Sequence, residues 1–153
     1  MEPRTPSPYR RVFTLAENLC PTDLLAGNQL DLEIDAANFL VPLCADIDSA
    51  TRHVHLLTYI YLVDDTGRRV ADALRAAAKR GVTCRVLVDS LGSRDFLRSD
   101  LRREMEADGV QVAEAMPASI LRIPIARIDL RNHRKIVVID HRVGYVGSQN
   151  IAD

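Results

Sequence analysis

The sequence predicts an α/β domain in which helices sandwich a mixed β-sheet. Two runs rich in β-branched residues, Val54 to Val63 and Val82 to Val88, have strand composition. The segment between them carries apolar residues at helical spacing and ends at Gly81, a residue suited to a helix C-terminus. A β-α-β-α-β order of this kind favours helices packed on a largely parallel or mixed sheet.

Each element follows from its local pattern. The first predicted helix has its firm part beginning at Phe39–Val41, because Pro42 is tolerated best in a first turn. A second helix follows the turn at residues 64–67, and a third ends at Gly109. A short strand covers residues 110–113, and the loop over residues 114–130 is long enough to indicate a functional role. The stripe residues of the second and third helices are Val70, Ala73, Leu74, Ala77, Leu97, Leu101 and Met105.

The amino-terminal part is less regular. We interpret residues 1–26 as a partly irregular leader and residues 27–153 as the domain. Three of the seven prolines lie in the first ten residues, and Gly27-Asn28 predicts a turn within a β-hairpin over residues 11–34.

Composition excludes several classes of protein. A net charge of −1 provides no global attraction to nucleic acid or anionic lipid. Cys20, Cys44 and Cys84 lack metal-binding spacing, which indicates thiols in a reducing compartment. The longest apolar run has about nine residues, where a membrane span needs roughly 20, and no signal peptide is recognisable. We therefore expect a protein of a reducing compartment, with any membrane contact being peripheral.

The segment from Arg131 to Asn150 carries the chemistry. With Lys135 to Ile139 as a strand, His133 and Lys135 point to one face. If His141-Arg142 form a two-residue turn, Lys135 pairs with Ser148 and His133 with Asn150. One hairpin would then gather an imidazole, an ammonium, a hydroxyl and a carboxamide.

This group of side chains suits a phosphate, since it offers one nucleophile and three hydrogen-bond donors. Gly147 would allow close approach of the backbone. The predicted catalytic residues are His133, Lys135 and Asp140, and the spacing of Asp140 leads us to expect a bracing role without contact to the phosphate. Arg131 and Arg134, with Arg122 and Arg127, form a local basic patch and are candidates for headgroup contacts.

Other polar residues have simpler interpretations. We interpret His53 and His55 as a packed or solvated pair, without the further ligand that a metal site would need. His141 is interpreted as a turn residue, and Tyr59 and Tyr61 as core residues. No metal or cofactor is predicted.

The motif H-R-K-I-V-V-I-D followed by G-S-Q-N resembles the HxKx4D…GSxN signature of the phospholipase D superfamily. The match lies on His133, Lys135, Asp140, Gly147, Ser148 and Asn150. The resemblance is to the bacterial cardiolipin synthase branch in particular. It lies on R-N-H-R-K, on the run from Tyr59 to Val82, and on Asp89 with Gly92-Ser93.

The resemblance implies a phospholipase D-like fold that forms one half of a two-fold pseudo-dimer. It also implies phosphatidyl transfer between phospholipids, with phosphatidylglycerol as donor and a phosphohistidine on His133. The location that it implies is the bacterial cytoplasm or the periphery of the inner membrane. The motif occurs once, so we expect an incomplete C-terminal end and a second motif supplied in cis or by a homodimer. Two alternatives remain: a hydrolytic phosphodiesterase, either a phospholipase D or a homodimeric nuclease acting on nucleic acid, and an inactive truncated half.

Overall fold

The computed structural model describes residues 8–20, 27–115 and 131–153. It divides into two compact units, residues up to Leu32 and residues from Glu33 to Asp153. The second unit contains all five strands, and the predicted site lies within it. The elements are α1 (Arg10–Leu19), α2 (Ala36–Ser49), β1 (His53–Thr58), α3 (Asp65–Lys79), β2 (Thr83–Asp89), α4 (Arg94–Leu97), α5 (Asp100–Ala107), β3 (Gln111–Ala115), β4 (Lys135–Ile139) and β5 (Val143–Gly147).

The five strands form one mixed sheet in the order β3-β2-β1-β4-β5. β1, β2 and β3 run parallel to their neighbours, whereas β4 is antiparallel to β1 and to β5. This confirms the predicted mixed α/β fold. The parallel part arises because α3 and α5 each return the chain to the same end of the sheet.

One face of the sheet carries the core. Alternate residues of the three central strands are almost fully buried on it, and α3 packs on β2 and contacts both α2 and α5. In the described residues the opposite face is more open: Leu87 is 39% exposed and Arg85 is also exposed. The buried strand residues are Val54, Leu56, Val86, Val88, Val137 and Ile139.

The helical predictions are largely confirmed. Val70, Ala73, Leu74 and Ala77 are all buried in α3, and Gly81 follows it at φ +93°. The predicted third helix is instead two short helices, because the chain breaks at Arg98 and Ser99 and the Ser99 hydroxyl caps α5.

Three expectations were wrong. α2 begins at Ala36 and contains Pro42 in its interior, since burial of Leu43 and Ile47 outweighs the local cost of proline. Strand β1 ends at Thr58, short of Val63. No β-hairpin spans residues 11–34, because the described part forms helix α1 and an irregular segment over residues 27–35. Residues 1–7, 21–26 and 116–130, including Arg122 and Arg127, lie outside the described residues.

Candidate active site

The predicted nucleophile lies at the end of the sheet where parallel strands commonly bind ligands. β4 runs antiparallel to β1, so its first residue, Lys135, lies beside the carboxyl end of β1. His133 precedes Lys135 by two residues and is exposed. In open α/β sheets the carboxyl ends of parallel strands carry the binding crevice. The strand pairing therefore places both residues at the end of the sheet where ligands commonly bind.

The hairpin register differs from the predicted one by one residue. Lys135 pairs with Gly147 and Ile139 with Val143, which leaves a three-residue turn of Asp140, His141 and Arg142. The predicted pairings of Lys135 with Ser148 and of His133 with Asn150 were therefore wrong. Asp140 and His141 have φ of 53° and 57°, so the two left-handed residues lie one position earlier than a type I′ turn of His141-Arg142 would require.

Asp140 determines that turn through its hydrogen bonds. Its carboxylate accepts from the backbone N–H groups of Thr51, Arg52 and His53 at 2.8–2.9 Å, and from the Thr51 hydroxyl at 2.9 Å. The bonds from His53 and Thr51 are the main reason that the pKa of Asp140 lies well below its usual value. Asp140 follows β4, whereas His133 precedes it, so Asp140 braces the opposite end of the strand.

Ser148 and Asn150 follow β5 and turn back toward β1. Ser148 is exposed directly after the strand. The Asn150 side-chain oxygen accepts from the Ile60 backbone N–H at 3.1 Å and from the Thr58 hydroxyl at 3.5 Å. Asn150 thus lies at the carboxyl end of β1, and its amide oxygen is engaged by protein. Its amide nitrogen is the group left to donate to a ligand.

The ring of Tyr59 contacts the motif from the carboxyl end of β1. It stacks on the His133 imidazole with 4.0 Å between ring centroids and 23° between ring planes. The Lys135 ammonium lies 5.9 Å from the same ring centroid, within the range of a cation–π contact. Tyr59 was interpreted as core, and its contact with His133 corrects that interpretation. Tyr61 is fully buried, as predicted, and its hydroxyl donates to the Gly67 carbonyl at 2.8 Å.

Arg131 is held by the protein itself. Its guanidinium lies 3.0 Å from an oxygen of Asp89 and 3.1 Å from the Ser90 hydroxyl. The side chains of Arg131 and Asp89 are 7% and 3% exposed, so the ion pair is buried. This geometry disfavours the predicted headgroup contact for Arg131 and assigns it an anchoring role. Arg134 is exposed and remains a candidate for that contact.

An open cavity of about 630 Å³ adjoins the predicted site. The described residues that line it are Arg131, Asn132, His133, Arg134 and Gly147. Arg134 places an exposed cation in its wall, whereas Arg131 is paired with Asp89, so the exposed charge of the cavity favours an anionic ligand. A Cβ atom at Gly147 would meet no heavy atom within 4 Å among the described residues, so the close backbone approach predicted there is not made.

The other histidines gather at the opposite end of β4. The rings of His53 and His141 lie 4.1 Å apart, and those of His53 and His55 lie 4.8 Å apart. Burial, followed by the neighbouring His53 and Arg85, lowers the pKa of His55. His141 lies in the turn, as predicted. The described part of the chain contains no group of three or more His, Cys, Asp or Glu side chains arranged to hold a metal.

Comparison with known proteins identifies the family. A sequence profile described as "Cardiolipin synthase, PLD-like domain" matches residues 43–153. The chain belongs to this family. Cardiolipin synthase A of Yersinia pseudotuberculosis and of Yersinia pestis are each 40% identical to it over 142 residues, which is 93% of this chain. The chain spans 29% of the length of those relatives.

Solved structures show the same fold. A phospholipase D family member, Nuc from Salmonella typhimurium, matches 73% of this chain and 64% of its own with a TM-score of 0.55 and 21% identity. NucT from Helicobacter pylori matches 76% of this chain and 69% of its own with a TM-score of 0.55 and 19% identity. These similarities confirm the phospholipase D-like fold. Among the described residues, no helix is both long enough and apolar enough to cross a membrane.

Sequence reasoning missed two contributors to the site. Tyr59 was overlooked because aromatic residues at strand ends usually pack in the core. The partner of Arg131 was overlooked because Asp89 lies 42 residues earlier in the chain. Asp89 and Gly92-Ser93 did belong to the family resemblance, and that was the available signal.

Proposed function

We propose that this chain carries the nucleophilic half of a phosphatidyltransferase of the cardiolipin synthase type. The observation that carries the proposal is the placement of His133, Lys135 and Gly147 at one edge of the sheet, beside an open basic cavity. The 40% identity to cardiolipin synthase A supports a phospholipid substrate, with phosphatidylglycerol as the donor.

The proposed reaction proceeds in two displacements. An imidazole nitrogen of His133 attacks the phosphorus of the donor, so that a P–N bond forms and the phosphoester P–O bond breaks. An acid from a second half of the enzyme gives a proton to the departing glycerol. A hydroxyl of a second phospholipid then attacks the phosphohistidine, and the same group, now a base, accepts its proton.

The other motif residues bind the phosphoryl oxygens. The Lys135 ammonium, the Ser148 hydroxyl and the Asn150 amide nitrogen are donors that would stabilise the charge that develops on those oxygens. Asp140 acts through the turn and does not touch the phosphate. The second half would be supplied in cis or by a second copy of the chain, and contact with the membrane would be peripheral.

The decisive experiment uses the enzyme assembled with its second half, and compares the wild type with His133→Ala and with the matched control His141→Ala. Each is incubated with phosphatidylglycerol vesicles, and lipid products are separated and quantified by mass spectrometry. We expect cardiolipin and glycerol from the wild type and the control, and neither from His133→Ala. A phosphohistidine peptide containing residue 133 should be trapped on rapid quenching. Undiminished cardiolipin formation by His133→Ala would refute the assignment.

The same assay tests the hydrolytic alternative. Water as acceptor would give phosphatidic acid in place of cardiolipin, and a nuclease would degrade DNA added in a parallel reaction. Light scattering of the same samples shows whether the protein that turns over substrate is a dimer. A monomer that consumes neither substrate would favour the inactive half.

A further inference from the structure

The His133 imidazole lies against the ring of Tyr59. Among the residues that the structure describes, no hydrogen bond reaches the imidazole nitrogens of His133, and its ring contact is the stack on Tyr59. An exposed side chain held by a single neighbour would otherwise rotate about its terminal torsion. We propose that Tyr59 is a positioning residue that fixes the plane of the His133 ring. This inference rests on the proposed role of His133 as nucleophile.

The backbone of Tyr59 is well suited to this role because it is fixed on several sides. Its carbonyl oxygen accepts from the Ser93 hydroxyl at 3.1 Å, and the Ser93 oxygen accepts from the Tyr61 N–H at 2.9 Å. A Cβ atom at Gly92 would lie 2.4 Å from the Tyr59 carbonyl oxygen, so only glycine permits this approach of the loop. Asn150 holds the residues on both sides, Thr58 and Ile60.

The same loop also holds the segment that leads into the motif. Asp89 begins the loop and pairs with Arg131, two residues before His133. Its carboxylate also accepts from the backbone N–H groups of Leu91 and Gly92 at 2.8 and 3.0 Å. The loop over residues 89–93 therefore fixes both partners of the stack, the Tyr59 backbone and the approach to His133.

Stacking has a direct chemical consequence. The lone pair of an imidazole nitrogen lies in the ring plane, so a ring held against Tyr59 keeps its nitrogens at the edge and directed along that plane. The nucleophile is then oriented before substrate arrives, which lowers the entropic cost of reaching the transition state. The contact uses the face of the ring, so phenylalanine should replace tyrosine at this position without loss.

The stack can be measured without turnover. In a histidine-labelled chain, the ring current of Tyr59 should move the carbon-bound proton signals of His133 upfield, and His133→Ala identifies those signals. We expect the displacement to be lost in Tyr59→Leu and retained in Tyr59→Phe. Tyr9→Leu, which removes a 65% exposed tyrosine, is the matched control and should change nothing at His133. Thermal unfolding of each variant shows that it is folded.

Turnover supplies the second readout. An aromatic pair contributes about 0.5–1.5 kcal/mol, so we expect kcat to fall roughly two- to tenfold in Tyr59→Leu with KM unchanged, and to recover in Tyr59→Phe. Equal His133 signals in the wild type and Tyr59→Leu would overturn the proposal, as would a Tyr59→Phe variant as impaired as Tyr59→Leu. A wild-type chain that shows the displaced signals but no turnover would support the stack and count against the proposed function alone.

Discussion

Removing one partner of the buried ion pair between Asp89 and Arg131 should strongly destabilise the fold. Both side chains are less than a tenth exposed, at 3% and 7%, and lie 3.0 Å apart. Asp89→Ala leaves the guanidinium buried without its counterion, which typically costs about 3–5 kcal/mol. Whole domains are stable by only about 5–15 kcal/mol, so the loss would be a substantial fraction of the total.

The assay is equilibrium unfolding in urea, followed by circular dichroism, for Asp89→Ala, Arg131→Met and the double variant. Because the two side chains contact each other, we expect the double variant to be less destabilised than the sum of the single variants, by about 0.5–3 kcal/mol. That difference measures the interaction free energy between the two side chains. Methionine keeps much of the arginine volume, so the second variant tests charge more than packing.

A matched exposed pair provides the control. Arg103 and Asp100 also form an ion pair, but their side chains are 65% and 82% exposed. Asp100→Ala should therefore cost less than about 1 kcal/mol. The reasoning would be refuted if Asp89→Ala cost no more than Asp100→Ala, or if the single effects of Asp89→Ala and Arg131→Met simply added.

Two further predictions concern the turn and the loop. The pKa of Asp140 is lowered on folding, so its stabilisation is present above its unfolded pKa of about 3.9 and is lost as pH falls toward the folded value. Asp140→Asn should therefore be less stable than the wild type near neutral pH, and the difference in urea midpoint should shrink below about pH 4; a constant difference would contradict this. Gly92→Ala should destabilise the fold by about 1–3 kcal/mol, because its Cβ would lie 2.4 Å from the Tyr59 carbonyl oxygen. Gly144→Ala, whose Cβ meets nothing within 4 Å, is the control, and equal unfolding midpoints for the two would show that the loop yields without cost.

The core helix and the central strands could be predicted from the sequence because their signals are local. The stripe over Val70 to Ala77 needs only the 3.6-residue period, and Gly81 needs only its own freedom at positive φ. β-branched composition likewise identifies β1 and β2 wherever their neighbours lie. The spacing of His133 and Lys135 fixes their common face for the same reason.

The amino-terminal region shows where such signals fail. Gly27-Asn28 is a good turn pair, but α1 precedes it and the residues from 27 to 35 form no regular strand. A turn signal states how the chain bends and leaves open whether strands flank it. Pro42 illustrates the reverse case, in which burial of α2 outweighs a local helix breaker.

The sequence by itself predicted the candidate site residues and most of the elements that hold them, since motif spacing and periodicity are properties of neighbouring residues. Only the tertiary structure decided the hairpin register, because the carboxylate of Asp140 is engaged by backbone groups 87–89 positions away. It also decided that Tyr59 stacks on His133 and that Arg131 pairs with Asp89. Those contacts join distant strand ends at one edge of the sheet, and their geometry exists only once the strands have paired.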